Sequence, residues 1–163
     1  MSFDDLDALL GKDIKAKPAA VAPKLYTVMI VDDDPSIRQA LGFVLKGKYS
    51  LKQCASGLEA ISTVDGNIYA VILDIKMPGM DGFATCKKLK EKYANLPIIF
   101  HSAYQDLKDP NVIANEYKPF AYLTKGQDQG TQKLFDTLQR AVRHYESMQK
   151  SSDLLAKLQK MSQ

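Results

Sequence analysis

Carboxylates that could bind a cation, together with a hydroxyl and an ammonium group, stand where four strand-like runs end. Residues 32–34 are all aspartates and follow the run YTVMIV, and Asp74 ends the run AVILD. Ser102 ends the run IIFHS, and Lys125 ends the run AYLTK. If these strands are neighbours in one parallel sheet, their carboxyl ends bring the carboxylates, the hydroxyl and the ammonium group into one small volume.

Three of the acids form a candidate metal site. Asp32, Asp33 and Asp74 would repel one another at close range, and a divalent cation would relieve that repulsion. A ligand set made only of oxygen atoms, with room for water, favours Mg²⁺ over zinc or copper. Asp34 is interpreted differently, as the N-terminal cap of a helix that starts at Pro35.

Strand-like and helical patterns alternate five times between residues 25 and 146. The apolar runs YTVMIV, YSLKQC, AVILD, IIFHS and AYLTK alternate with segments whose apolar residues recur at helical spacing. The central runs are apolar at successive positions, as in parallel strands that are covered on both faces. The pattern predicts a three-layer α/β fold, in which a doubly wound, five-stranded parallel sheet lies between layers of helices and the last helix is extended.

Composition excludes several classes of protein. The chain has 163 residues, of which 45% are hydrophobic and 25% are charged, which is typical of one globular domain with short extensions. A net charge of +3 is too small to indicate a nucleic-acid partner, and no apolar run approaches the ~20 residues of a membrane span. Cys54 and Cys86 lack metal-type spacing and are interpreted as buried thiols, which favours a cytoplasmic location.

The strand ends and the loops after them resemble the receiver domain of two-component response regulators. The matching motifs are VDDDP from residue 31, LD from residue 73, MPGMDG from residue 77, SA from residue 102 and YLTK from residue 122. The resemblance covers about residues 25–146. It implies a flavodoxin-like fold with five helices and strand order 2-1-3-4-5. Residues 1–24 and 147–163 then lie outside the domain as extensions.

The resemblance also implies a role for each acid. Asp74 would accept a phosphoryl group from a histidine kinase or a phosphotransfer protein. Asp32 and Asp33 would bind Mg²⁺ together with Asp74 and the backbone carbonyl of Lys76. The protein would not be an enzyme in the usual sense, because it would catalyse only its own phosphorylation and dephosphorylation.

A switch follows from the same resemblance. Ser102 and Lys125 would each contact an oxygen of the phosphoryl group on Asp74. Ser102 would move toward that group, and Tyr122 would turn inward into the space that Ser102 leaves. The added charge would thereby change a surface formed by the fourth helix, the fifth strand and the fifth helix, to which a downstream protein of unknown identity would bind.

Three features depart from the family's pattern. Gly126 follows Lys125 where the family usually has proline, so we expect a less constrained loop there. His101 precedes Ser102 where an aliphatic residue is more usual, and is interpreted as a packed strand residue. The fourth helix is predicted to be short and polar, because apolar residues are few between Pro110 and Pro119.

The N-terminal extension combines acids with apolar residues. Its first ten residues hold three aspartates and no basic residue, with apolar side chains at helical spacing: Phe3, Leu6, Leu9 and Leu10. Residues 11–24 contain two prolines and many small residues, which is typical of a flexible linker. Two interpretations stay open, a tail without a docking role and a short segment that docks on a receiver surface.

The C-terminal extension continues a helical pattern. After the final helix of the domain, Met148, Leu155, Leu158 and Met161 recur close to heptad spacing in residues 147–163. A solvated tail, a homodimer contact through the last helix, and a helix that leads into an output domain are all consistent with this pattern. Too few residues remain after residue 146 for a DNA-binding domain, so we expect no nucleic-acid partner.

Other functions fit the sequence less well. The chain could be the N-terminal receiver of a larger regulator whose output domain is absent here. A phosphoaspartyl-type phosphatase also uses an aspartate at a strand end, but it needs a second acid two residues later, and that position is Lys76. A degenerate receiver that acts only as a scaffold would not need the complete set of strand-end residues.

Overall fold

The computed structural model describes residues 24–103, 108–127 and 130–163. The predictions made for residues 1–23 therefore lie outside the described residues. Strands and helices alternate throughout the described part, in the following order: β1 (Thr27–Val31), α1 (Pro35–Leu45), β2 (Ser50–Cys54), α2 (Gly57–Thr63), β3 (Ile68–Leu73), α3 (Gly82–Lys92), β4 (Ile98–Ser102), α4 (one α-helical turn, Pro110–Val112, that continues as a π-helix, Ile113–Tyr117), β5 (Ala121–Thr124) and α5 (Gly130–Met161).

The strands form one parallel sheet in the order β2-β1-β3-β4-β5. The predicted fold class and strand order are therefore confirmed. The pairing is in register at the carboxyl ends, where Val31 lies opposite both Cys54 and Leu73, and Ser102 lies opposite Thr124. The chain runs from β1 outward to β2 and then crosses back to β3, so the strand order reverses between β1 and β3. This reversal opens a crevice at the carboxyl edge of the sheet.

Two apolar layers hold the sheet in place. Because side chains alternate along a strand, Val28 and Ile30 face the layer of α1 and α5, whereas Met29 and Val31 face the layer of α2, α3 and α4. Each fully buried valine, leucine or isoleucine contributes roughly 1.5–3 kcal/mol. The apolar interior of the strands therefore fixes the positions of the polar residues at their ends.

Two acids begin helices beside the crevice. The Asp34 side chain accepts a hydrogen bond of 2.8 Å from the backbone N–H of Ser36 at the start of α1. The Asp81 side chain accepts one of 2.8 Å from the N–H of Ala84 at the start of α3. These bonds satisfy backbone donors that a helix leaves unpaired at its N-terminus. The interpretation of Asp34 as a helix cap is confirmed.

The short α4 has an unusual backbone. Its second half is a π-helix in which Ile113 and Tyr117 point into the core. It ends at Lys118, whose φ of 46° lies in the left-handed region, and the Lys90 ammonium donates a hydrogen bond of 2.6 Å to the Lys118 carbonyl. A π-helical turn is rare, so packing against the core, rather than local preference, determines this backbone.

The last helix continues without a break far past the domain. Its first half buries Leu134, Leu138, Ala141 and Tyr145, and all residues from Ser151 to its end are exposed. Residues 147–161 are thus helical, which leaves the choice among the predicted roles of the C-terminal extension open. Among the helices of the described residues, none is long and apolar enough to cross a membrane.

Candidate functional site

Three carboxylates meet at the crevice where the strand order reverses. Asp32 follows β1, Asp74 follows β3, and one oxygen from each of them and from Asp33 lies within 4.8 Å of the others. Asp32 and Asp74 are buried, whereas Asp33 is exposed. The two buried acids are held side by side because the backbone N–H of Asp74 donates a hydrogen bond of 2.9 Å to the carbonyl of Val31, which extends the pairing of β1 with β3.

Lys125 bridges the two buried acids. Its Nζ lies 2.8 Å from Oδ2 of Asp32 and 3.3 Å from Oδ1 of Asp74. The backbone N–H of Lys125 donates to the carbonyl of Ser102 at 2.9 Å, so the pairing of β5 with β4 continues one residue past the strand. Burial lowers the pKa of Lys125, but its hydrogen bond to Asp32 and the charges of both acids outweigh burial and raise that pKa overall. The lysine therefore stays positively charged at neutral pH.

Backbone groups orient both carboxylates. The N–H of Ile75 donates to Oδ1 of Asp74 at 2.8 Å, and the N–H of Asp34 donates to Oδ1 of Asp32 at 2.9 Å. The guanidinium of Arg38, on α1, donates to the backbone carbonyl of Asp32 at 2.7 Å. Hydrogen bonds to charged groups are stronger than those between neutral groups. Hydrogen bonds to groups of the adjoining loop and helix thus orient both carboxylates.

A close approach of the backbone at Gly82 was not anticipated from the sequence. A Cβ at Gly82 would lie 2.1 Å from the carbonyl oxygen of Asp74 and 2.6 Å from Cα of Ile75. The N–H of Gly82 donates to the carbonyl of Ile75 at 2.7 Å. Only glycine allows α3 to begin this close to the strand end. The signal in the sequence was a glycine directly after the capping residue Asp81.

The remaining predicted site residues lie around this cluster. Ser102 is fully buried at the end of β4, beside β5. Tyr122 lies on β5 with its ring centroid 6.4 Å from that of Phe100, on the same side of the sheet as α4. Lys76 is exposed in the loop two residues after Asp74. The structure therefore brings Asp32, Asp33, Asp74 and Lys125 into contact range and places the other three on the surrounding strands and loop.

The two unusual residues beside the site do not disturb it. Burial, and next the charge of Lys125, lower the pKa of His101 to about 4, so its ring is neutral at neutral pH and adds no second positive charge. The ring is partly buried, as interpreted from the sequence. Gly126 adopts a φ of 76°, a conformation that suits glycine, and Lys125 reaches both acids although no proline follows it.

The phosphoacceptor candidate Asp74 has a raised pKa. Burial, and next the charge of Asp32, raise the pKa of Asp74 from 3.8 to about 6, although Lys125 and the N–H of Ile75 lower it in part. Asp74 is therefore partly protonated in mildly acidic solution and ionised in mildly basic solution. An ionised carboxylate next to a second carboxylate attracts a cation strongly. It also attracts an electrophile that is bound to a cation.

We expect the Asp74 carboxyl to make the metal-free protein less stable as the pH rises from about 4 to about 6, a contribution that His101, whose pKa is lowered to about 4, opposes over the same range. Over this range the folded state binds a proton on Asp74, whereas the unfolded state releases it. The free energy of unfolding that this proton adds therefore declines, and it is lost as the pH passes through the folded-state pKa of about 6. A rise from 3.8 to about 6 corresponds to about 3 kcal/mol at most. Urea unfolding in a chelator should show this decline as a difference between the unchanged chain and Asp74→Asn, because both proteins share the opposing contribution of His101. An identical slope in both proteins would contradict the prediction.

Comparison with known proteins agrees with this arrangement. A model of the response regulator receiver domain matches residues 28–139. The chain is 36% identical over 126 residues to the DNA-binding transcriptional regulator NtrC of Escherichia coli (strain K12), which covers 75% of this chain and 26% of that protein. It is 34% identical over 118 residues to the gliding motility regulatory protein of Myxococcus xanthus, which covers 69% of this chain and 15% of that protein.

Solved structures show the same similarity. The chemotaxis protein CheY4 of Vibrio cholerae has a TM-score of 0.64 and 27% sequence identity, and the match covers 72% of this chain and 99% of that chain. This chain spans about a quarter of the length of the NtrC proteins. The match covers 26% of the NtrC protein of Escherichia coli and 25% of that of Klebsiella pneumoniae. With its fold, its strand-end residues and the family model in agreement, the chain belongs to the response regulator receiver domain family.

Proposed function

We propose that Asp74 accepts a phosphoryl group from a phosphohistidine of a histidine kinase or phosphotransfer protein. The observation that carries this proposal is the position of Lys125, whose Nζ lies 2.8 Å from Asp32 and 3.3 Å from Asp74 at the crevice of the sheet. A fixed positive charge next to a buried carboxylate is what phosphoryl transfer requires, because negative charge spreads over the equatorial oxygens in the transition state.

The transfer needs only the phosphohistidine, the Asp74 carboxylate and a proton. A carboxylate oxygen of Asp74 forms a bond to phosphorus, the bond from phosphorus to the imidazole nitrogen of the donor breaks, and the imidazole keeps that electron pair and takes up a proton. Lys125 compensates charge on one phosphoryl oxygen, and the hydroxyl of Ser102 donates to another. Attack of water on phosphorus would break the bond to the Asp74 oxygen, release inorganic phosphate and restore the carboxylate, so the chain would act as a switch rather than as an enzyme with an external substrate.

The acids also fit a magnesium ion. Asp32, Asp33 and Asp74 offer oxygen atoms within 4.8 Å of one another, and hard divalent cations prefer such oxygen ligands. Together with the backbone carbonyl of Lys76, these residues would hold Mg²⁺. When bound, Mg²⁺ would neutralise charge on the phosphoryl group, while Lys125 would remain beside Asp74.

We expect acetyl phosphate to modify the chain only when Mg²⁺ is present. Mg²⁺ should also raise the melting temperature, since a ligand at a hundred times its dissociation constant adds about 2.7 kcal/mol to the folded state. Asp33→Asn should weaken both effects without unfolding the protein, because Asp33 is exposed. Intact-mass spectrometry and thermal unfolding measure them. Modification at the same rate in a chelator would contradict the magnesium proposal but leave Asp74 as the acceptor.

Phosphorylation would change the face formed by α4, β5 and α5, and a partner would bind to that face. Pro110, Ile113, Ala114 and Tyr122 line an apolar cavity of about 250 Å³ on this face, so its shape would change if Tyr122 turned inward into the space that Ser102 leaves. The added charge on Asp74 is the local event that would bias this surface between two states. The partner at this surface would be a downstream protein. A homodimer is one alternative for the exposed end of the last helix.

The proposal includes the location of the protein in the cell. Cys54 and Cys86 are buried and form no disulfide, which suits a reducing compartment, so we propose a cytoplasmic location.

A second candidate function, favoured by the greater length of the NtrC relatives, is that this chain is the receiver part of a larger regulator. Phosphorylation of Asp74 would serve the same purpose in both cases.

A further inference from the structure

The C-terminal extension carries an exposed apolar stripe. Leu154, Leu155, Leu158 and Met161 are 53–83% exposed on α5. Lys157 and Lys160 lie between these residues in the sequence, and Lys150 and Asp153 precede them. Single exposed apolar residues are ordinary, but a contiguous set on one helix indicates a surface that another segment covers.

The stripe cannot be covered by the sheet of the same domain. With about 100° of rotation per residue, residues 154, 158 and 161 lie roughly opposite the side of α5 that buries residues 134, 138, 141 and 145. The apolar side of the helix therefore changes from inward-facing to outward-facing along its length. Any surface that covers the stripe would come from another segment or another molecule.

The described part of the chain begins next to this extension. The hydroxyl of Tyr26 is hydrogen-bonded to Glu146, and Glu146 pairs with Lys150 at 2.7 Å. The ring of Tyr26 lies 4.8 Å from that of Tyr69, which in turn lies 5.6 Å from Tyr145 on α5. These contacts anchor the start of the described chain directly before the extension, about two helical turns from Leu154.

The N-terminal segment matches the stripe in length and in charge. Residues 11–23 can span at most about 45 Å, whereas residues 146–161 of the helix extend over about 22 Å, so the linker reaches every part of the stripe. Residues 3–10 contain Asp4, Asp5 and Asp7 and no basic residue. The extension contains one acid, Asp153, and three basic residues: Lys150, Lys157 and Lys160. A second copy of the extension would bring lysines near lysines instead.

We propose that residues 3–10 of the chain dock on the stripe formed by Leu154, Leu155, Leu158 and Met161 of the same molecule. Phe3, Leu6, Leu9 and Leu10 would contact the leucines, and the aspartates would pair with the lysines at the edges of the stripe. The docked segment would cover the surface through which the last helix could bind another copy or a following helix. The proposal does not depend on phosphorylation of Asp74.

A tryptophan at position 3 tests this docking, because the chain contains no other tryptophan. In the full chain with Phe3→Trp, we expect blue-shifted emission and protection from acrylamide quenching. Adding Leu155→Glu and Leu158→Glu should shift the emission to that of an exposed indole, and added salt should weaken the protection. Both leucines are exposed, so these substitutions leave the folded domain intact, which circular dichroism would verify.

Leu58→Glu is the matched control, since Leu58 is also an exposed leucine but lies on α2, in the opposite helical layer. It should leave the emission of Trp at position 3 blue-shifted. Light scattering over a dilution series separates docking within one molecule from docking between copies. Emission of an exposed indole in the full chain would overturn the proposal. So would a dimer mass together with a blue shift that fades on dilution, which would assign the stripe to a second copy.

Discussion

The chain with Asp74→Asn is expected to form no acyl phosphate when it is incubated with Mg²⁺ and acetyl phosphate. The loss should be complete, since an amide cannot replace the carboxylate as the attacking group. The substitution keeps the size of the side chain and removes a buried charge that lies beside Asp32. The variant should therefore fold, and in metal-free buffer at about pH 8 it should be more stable than the unchanged chain.

Asp34→Asn is the matched control for this experiment. Asp34 is next to the site in sequence, but its side chain caps α1 through the N–H of Ser36, and asparagine is an equally good cap. The control should be phosphorylated like the unchanged chain. Mass spectrometry of peptides after borohydride reduction would locate the modified residue. Labelling of Asp74→Asn at the normal rate, on Asp33 or on any other acid, would show that the acceptor is misassigned.

Replacement of Lys125 by methionine is expected to cause the largest loss of stability of any single change at the site. It leaves Asp32 and Asp74 buried and without the ammonium group that lies 2.8 Å and 3.3 Å from them. Removal of one partner from a buried ion pair costs about 3 kcal/mol or more. The loss should be greatest in metal-free buffer at about pH 8, where Asp74 is ionised, and smaller at about pH 5, where Asp74 takes up a proton.

Urea unfolding at the two pH values measures this difference. Lys88→Met is the control, because Lys88 is an exposed lysine on α3, and its replacement should change the free energy of unfolding by no more than about 0.5 kcal/mol. Mg²⁺ should restore part of the stability of Lys125→Met by supplying positive charge to the same acids. An equal loss at both pH values would mean that Lys125 acts through packing of its methylene groups and not through its charge.

Much of the fold was predictable because its signals are local. The strand-like runs, the helix caps and the glycine-containing turns depend on neighbouring residues, so the order of elements and the α/β class followed from them. The ends of the elements were less certain: β3 was predicted from Ala70 to Asp74 and is found at Ile68–Leu73. Asp74 still donates its N–H to Val31, so it continues the pairing although it lies outside the strand proper.

The backbone of α4 could not be predicted. Its sequence has few apolar residues, and its π-helical turn depends on Ile113 and Tyr117 packing on a core built by other strands and helices. The ring of Tyr117 lies 4.6 Å from that of Phe83 on α3, a contact between residues distant in sequence. Local preferences contain no information about such a contact.

For the site, the sequence alone determined which residue types stand at the strand ends, because strand length and polarity are read from adjacent residues. Only the tertiary structure decided how those residues meet. It buries Asp32 and leaves Asp33 exposed, it places Lys125 between Asp32 and Asp74, and it raises the pKa of Asp74 to about 6. Desolvation and charge depend on distances across the sheet, and those distances are set only when strands that are far apart in the chain pack side by side.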